Sequence, residues 1–347
     1  MLFSSKSKGY ICDQNEQSTV IARVTSLDAP LVVEAIVECS SFDEAGLRAG
    51  VVQVCPKKPA GYLHAICGVS PEQRFVRRAS LDPKRLKEAD YLSEVATTQF
   101  RIDAVNSAIS VLNAFDGTDF DPAKSASAKE VFFCGMPGED VTKAQTTFLS
   151  AGIYPERLEI STVAALGAII DYLRYSKSQK PTIVLELGAN STQSFIISTR
   201  GLEASRPIAV GLEAMVPVVQ KELGLKDEES ARKLFFSNTF DFTGMGSSLC
   251  KRLLKELQSS MGFYEVQTGQ SIGQLVCIVL PSKLAWLEAV IASQIGVGVL
   301  QPEFAPWLAA RNITLSESVA AMSLDARKFA LFGLMTQFPI QSNDVAV

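Results

Sequence analysis

At 347 residues the chain is too long for one ordinary hydrophobic core, so two or more lobes are expected. Apolar residues at 47% and charged residues at 20% describe a globular protein and exclude a disordered one. A net charge of only −4, with no block of like charges, argues against sequence-independent nucleic-acid binding, which needs a concentrated basic face.

The opening reads as a hairpin sheet, with β-rich runs at 9–12, 20–25 and 31–39 separated by polar or Asp-Ala-Pro turns. A helix is expected over 42–49, and the prolines at 56–59 break the chain. An apolar run at 62–68 and an alternating stretch at 73–80 follow. Residues 83–100 read as helical, with Leu86, Leu92, Val95 and Phe100 at mixed three- and four-residue steps. Alternation resumes over 105–112, and the Asp-, Ala- and Ser-rich stretch 116–129 reads as an exposed loop. A strand at 131–135 leads to a helix at 141–151, whose inward side is Val141, Ala144 and Phe148 and whose stop is Gly152. The helix 162–175 carries Leu166, Ile169, Ile170 and Leu173 on one stripe. Residues 177–181 are polar, end in proline and make the best linker candidate. Strands at 183–187, 194–198 and 203–209 then restart the pattern and lead into a helix. A long helix over 245–263 repeats Leu249, Leu253, Leu257 and Met261 every four residues. A strand at 275–280, helices at 283–295 and 326–336, and a frayed end complete the chain.

Seven cysteines lie scattered at 12, 39, 55, 67, 134, 250 and 277. Their odd number and the lack of a CxxC or CxxxxC pair argue against a disulfide framework and a zinc site, so they read as small buried thiols. The single histidine, His64, has no cysteine or carboxylate at ligand spacing and rules out a His-based triad elsewhere. No catalytic residue and no metal ligand is assigned. The start carries two lysines but no apolar run of signal-peptide length, and no stretch reaches the roughly 18 apolar residues that span a bilayer. A cytoplasmic protein is expected, touching the membrane only through a partner.

Both halves run sheet first, then helices, which suggests an actin-like pairing of lobes. The segment Glu186-Leu187-Gly188-Ala189-Asn190-Ser191-Thr192 resembles the second phosphate loop of actin-like ATPases, specifically of the PilM family. That family reads strand, Asp-Ile-Gly-Ala, two residues, Thr, then a hairpin with Arg, Ile, two residues, Gly. Arg206-Pro207-Ile208-Ala209-Val210-Gly211 supplies that second piece. Glu222-Leu223-Gly224-Leu225 with Glu228-Glu229-Ser230-Ala231, and Met261 to Gly269 against "Leu-Asp-Phe-Tyr-Glu, two residues, Ser/Thr-Gly", continue the match in order. Pro281 to Leu287 stands where the family has its Gly-Gly turn. Phe100 to Val105 is similar to a segment of the family's inserted 1C subdomain, and Ala330 to Leu334 to its closing "Ala-Leu-Gly-Leu-Ala".

The resemblance covers about residues 9–335. It implies an α/β chain with an actin-like fold of two RNase H-like lobes and an inserted small α+β subdomain of the 1C type. The expected boundaries are 1–75 and 142–178 for the first lobe, 76–141 for the insert, 179–338 for the second lobe and 339–347 for a flexible tail.

In that fold, ATP lies between the lobes, with its phosphates held by the backbone of two glycine turns and Mg²⁺ by acidic residues in them. The first turn should read about Gly-Ile-Asp-Ile-Gly-Ser-Ser-Ser. Set against Gly9 to Glu16, that pattern puts Ile11 at the acid and Asp13 at the turn glycine, unless the register shifts by one. The second turn is better kept. Glu186, Gly188, Asn190, Ser191, Thr192 and Gly211 are the residual phosphate-loop candidates, with Glu186 one methylene longer than the family Asp. The ribose-gripping pair falls at Arg232 and Phe235, and the adenine turn at Val279-Leu280-Pro281. Bulky or acidic side chains at these places disfavour ATP and Mg²⁺, so no cofactor is assigned.

The resemblance therefore implies a scaffold of a type IV pilus or type II secretion-like assembly. Its expected partner is the N-terminal tail of a PilN-like inner-membrane protein, held in a groove between the first lobe and the insert. Residues 62–68, 75–81 and 84–100 are the candidate groove segments, and a pilus motor ATPase or platform proteins are further candidate partners. The competing readings are a working actin-like ATPase or kinase, which needs intact glycine turns in both lobes, and an FtsA-like filament protein, which needs an amphipathic C-terminal helix.

Overall fold

A computed structural model describes residues 9–39, 44–55, 57, 61–122, 130–237 and 239–336. The expected tail at 339–347, the lysine-bearing start, residues 42–43 of the first helix, most of the 56–59 break and residues 123–129 of the expected loop lie outside them. Two compact units result: 1–176 with 303–324 and 328–347, and 177–302 with 325–327.

The first unit is built on a sheet whose first three strands, β1 (Gly9–Gln14), β2 (Thr19–Val24) and β3 (Leu31–Cys39), form an antiparallel meander. Helix α1 (Glu44–Val54) returns the chain to β4 (Leu63–Val69), which lies parallel to β1. The insert follows: β5 (Phe75–Ser80), helix α2 (Tyr91–Phe100), β6 (Ser107–Asn113) and β7 (Glu130–Pro137) make a three-stranded antiparallel sheet in the order β5-β7-β6. Phe75, Leu81, Tyr91, Val95, Val131 and Phe133 close a core of its own.

Helix α3 (Gly138–Ser150) leads to β8 (Ile153–Ile160), parallel to β4, and then to α4 (Ser161–Tyr175). Phe148 is buried, Val141 and Ala144 pack against the same core, and Gly152 stops α3 at φ +84°, a conformation that favours glycine.

The second unit repeats the plan. Strands β9 (Thr182–Leu187), β10 (Thr192–Ser198) and β11 (Gly201–Ile208) form an antiparallel meander. Helices α5 (Val216–Glu222), α6 (Glu228–Ser237) and α7 (Gly246–Thr268) separate it from β12 (Gln274–Val279), which is parallel to β9. Helix α8 (Trp286–Ile295) then leads to the short β13 (Gly298–Val299). The sheet order β11-β10-β9-β12-β13 matches β3-β2-β1-β4-β8 strand for strand, in direction as well as position.

Several expectations need correction. The second lobe was expected to run to 338, but helix α9 (Phe304–Ala309), strand β14 (Ile313–Leu315), helix α10 (Glu317–Ala320) and helix α11 (Phe329–Met335) belong to the first unit. β14 adds to β3 in parallel, and every residue of α11 is buried. At Gly333 a Cβ would overlap the Ala164 carbonyl of α4, so only glycine allows this helix approach. Helix α2 begins at Tyr91 rather than at 83. Residues 82–90 instead form turns, with Asp82 accepting from the Lys84 N–H at 2.9 Å. Strand β8 escapes the pattern because its charged residues and Pro155 sit on an edge strand, where proline is tolerated.

In α7 a strict four-residue stripe drifts about 40° per step against a 3.6-residue helix. Leu249, Leu253 and Leu257 are accordingly buried, Met261 only partly, and Tyr264 takes its place.

All seven cysteines are free. Burial raises the thiols of Cys134 and Cys250 to about 12. Hydrogen bonding to Cys67, and then burial, raises Cys12, and burial raises Cys277. His64 meets Glu156 of the adjacent strand at 2.7 Å, a pairing across β4 and β8 that sequence spacing does not reveal. Among the described residues no cluster of three or more His, Cys, Asp or Glu could hold a metal, and no helix is long and apolar enough to cross a membrane.

Candidate functional site

Because the two sheets share one plan, their first hairpins can be compared residue by residue. In each, the turn begins right after the first strand and closes when its first N–H donates to the carbonyl three residues on. Asn15 to Ser18 and Gly188 to Ser191 both do so at 3.0 Å. Gln14 then pairs with Thr19, and Leu187 with Thr192.

The acid therefore stands at Asp13, in the strand two residues before the turn, where Glu186 stands in the second unit. This corrects the sequence register, which put Ile11 at the acid and Asp13 in the turn. The strand runs on to Gln14 because β2 pairs with it that far, an extent that depends on the partner strand. Asp13 is 1% exposed and Glu186 2%.

The first hairpin is occupied by its own protein. Asn15 replaces the glycine, and its Oδ1 accepts from the N–H groups of Gln17 and Ser18 at 2.9 and 3.1 Å. Those are the donors a phosphate would need. Asp13 accepts from the Ser161 hydroxyl, at the N-terminus of α4, at 2.5 Å. Beside it the buried Arg74 donates to Thr162 Oγ1 at 2.9 Å and to the Pro71 carbonyl at 2.9 Å. Its guanidinium also lies 4.0 Å from Glu16, within the turn. Neither Ser161 nor Arg74 stood out in the sequence, because Ser161 lies 148 residues from Asp13 and Arg74 lies 58 from Glu16.

In the second unit, Gly188, Asn190, Ser191, Thr192 and Gly211 come together. Gly188 carries no side chain, so the N–H groups of Asn190 and Ser191 cannot be taken up as Asn15 takes up their counterparts. The carbonyls of Gly188 and Ala189 accept from Leu212 and Glu213 at 3.0 and 2.9 Å, and Thr192 Oγ1 donates to Val210 at 2.7 Å. A Cβ on Gly211 would overlap the Ala189 carbonyl, so this glycine permits backbone to lie on backbone.

Arg232, the first of the expected ribose-gripping pair, forms an ion pair with Glu213, and Phe235, the second, is fully buried. Val279 and Leu280 are buried in the core. A surface hollow of about 340 Å³ lies further along, lined by Phe240, Phe242, Lys283 and Trp286, and no motif in the sequence marks it. The groove candidates Phe75, Ala79, Leu81, Tyr91 and Val95 are spent on the core of the insert, while Tyr62 is exposed.

A duplicated 3-2-1-4-5 sheet with paired hairpin turns and an inserted small sheet in the first unit defines an actin-like fold. In particular, the chain is similar in structure to the "PilM-PilN type IV pilus biogenesis complex", with a TM-score of 0.66 and 15% identity over 95% of this chain and 98% of that one. A Bacteroides thetaiotaomicron protein "with actin-like ATPase fold and unknown function" scores 0.46 at 8% identity over 96% and 98%. The cytoplasmic domain of EpsL, an inner-membrane component of the Vibrio cholerae type II secretion system, scores 0.44 at 8% identity over 96% and 97%. No protein-family model and no curated protein matches the chain. The fold is thus the one that the PilM-like motifs implied.

Proposed function

We propose that the chain is a cytoplasmic scaffold of a type IV pilus or type II secretion-like assembly, in which it holds the N-terminal tail of a PilN-like inner-membrane protein. The observation that carries this reading is the end-to-end likeness to a PilM–PilN structure, insert included. A tail of this kind is recognised by apolar pockets and backbone edges rather than by titratable groups.

The nucleotide site is read as degenerate. Asn15 satisfies the donors of the first turn, Ser161 holds Asp13, and Glu213 holds Arg232. A triphosphate would have to displace these contacts, and each charge-assisted one is worth about 1.5–3 kcal/mol. Losing several weakens a micromolar nucleotide by orders of magnitude. The better-kept second turn supports at most a weak anion contact.

Titration calorimetry on the full chain tests both parts. The expected outcome is saturable binding of a synthetic PilN-like N-terminal peptide and no ATP turnover. A Kd for Mg-ATP of about 10 μM or tighter would refute the degenerate site, and failure to bind any such peptide would refute the scaffold. Nucleotide-dependent sedimentation would point instead to the filament-forming reading.

A further inference from the structure

The outward face of α7 has a composition that peptide capture does not use. The helix packs inward through Leu249, Leu253, Leu257 and Tyr264. On the opposite side Lys251, Arg252 and Lys255 are exposed, followed by Phe263 at 66% and Val266 at 88% exposure. With 3.6 residues per turn these five side chains fall within an arc of about 120°. Fifteen residues separate the first from the last, or about 22 Å of helix.

No carboxylate stands in that arc. Glu256 lies at its edge and is held by Arg206 at 2.5 Å, while Glu265 is half buried on the other side. Among the described residues no carboxylate pairs with Lys251, Arg252 or Lys255. The face therefore presents three cations without counter-ions beside two bare apolar side chains.

We infer that this face of α7 is a contact surface for an anionic phospholipid bilayer. Lys251, Arg252 and Lys255 would meet headgroup phosphates, and Phe263 and Val266 would enter the boundary between headgroups and acyl chains. The shape favours a membrane over an acidic protein. The apolar pair stands on the ridge of a helix, where a flat fluid surface can receive it. Lysine and arginine stems can reach phosphates without a fixed register. Basic residues with exposed Phe on one helix face are the combination that holds helices in the membrane interface. This contact adds to a link made through a partner and does not rest on it.

Vesicle flotation with the full chain tests the inference. Three cations near an anionic surface should give about a hundredfold preference for phosphatidylcholine vesicles containing phosphatidylglycerol over phosphatidylcholine alone. That preference should shrink at high salt. The triple variant K251E/R252E/K255E should lose it, and F263S/V266S should bind the same vesicles more weakly. K143E, at an exposed lysine of α3, should bind as the parent does. All these positions are exposed, and unchanged thermal melting confirms that each variant is folded. Hydrogen exchange in the parent should slow on α7 when anionic vesicles are added. Equal binding to both vesicle types, no binding to anionic vesicles, or a triple variant that binds as the parent does would overturn the assignment. Protection of α7 by an acidic protein, with none by vesicles, would give the face to that partner instead.

Discussion

The two hairpins set up a paired experiment on single hydroxyls. Thr19 and Thr192 occupy the same place in their units and are equally buried, yet they differ in satisfaction. Thr192 Oγ1 donates to Val210, whereas Thr19 Oγ1 has no hydrogen-bond partner among the described residues. Replacing a satisfied buried hydroxyl by methyl should cost about 1–2 kcal/mol, because the Val210 carbonyl loses its donor. Replacing an unsatisfied one removes a desolvation penalty. Thr192→Val is therefore expected to lower the midpoint of denaturant unfolding, and Thr19→Val to leave it unchanged or raise it.

Glu288 offers a second test at this scale. Burial raises its carboxyl above 4.5, against the Cys277 N–H, which donates to it at 2.6 Å and pulls the other way. A folded-state value above the unfolded one means that the native state holds the proton more tightly. The stability so gained is complete below about 4.5 and is lost as pH rises through the raised folded value. Glu288→Gln keeps an acceptor without the charge. It should raise the melting temperature more at neutral pH than at about pH 4, and an equal effect at both would show that Glu288 carries no such penalty.

Among elements, the return of the C-terminal segment to the first unit depends on one buried carboxylate. Asp171 of α4 accepts from Trp307 Nε1 of α9 at 2.8 Å and from two Arg311 nitrogens at 2.7 and 2.6 Å. Trp307 is fully buried and meets Tyr172 edge-on, with ring centroids 6.0 Å apart. Asp171→Ala would strand an indole N–H and a partly buried guanidinium. The expected loss is about 3 kcal/mol, near the lower end for a broken buried pair because Arg311 keeps some contact with water. Chemical denaturation measures it, and a loss below about 1 kcal/mol would mean that the aromatic packing around Phe304 and Phe329 holds α9 without the clamp.

For the whole molecule, the chain order has a consequence for truncation. The first unit is completed only by residues beyond 302, which supply β14 to its sheet and α11 to its helix layer. A chain ending at Pro302 retains the main segment of the second unit but deprives the first of Phe304, Trp307, Phe329 and Phe332, all buried. Calorimetry should then show the first unit's transition lost or shifted far down, with the second unit's largely kept. Two transitions at their original temperatures would show that the terminal segment is dispensable.

Much of this was legible in the residues themselves. Periodicity and turn chemistry located the meanders, α3 with its Gly152 stop, α4, α7 and the break after Ser176, because each depends on local burial and backbone preference. The ordered motifs from Glu186 onward pointed to the actin-like fold, and Gly188 and Ser191 do close one turn, against which Gly211 lies. Sequence order could not reveal which unit residues 303–324 and 328–335 join, because a helix that is apolar all round, such as Phe329–Met335, can be buried in either. Nor could it align Asp13, whose place depends on how far β2 pairs with β1, or show that Asn15 takes the N–H groups of Gln17 and Ser18 while Ser161 donates to Asp13. Short-range pattern determined the elements. Long-range pairing and the satisfaction of buried polar groups decided where they went and what the hairpins hold, because those energies depend on neighbours the local sequence does not contain.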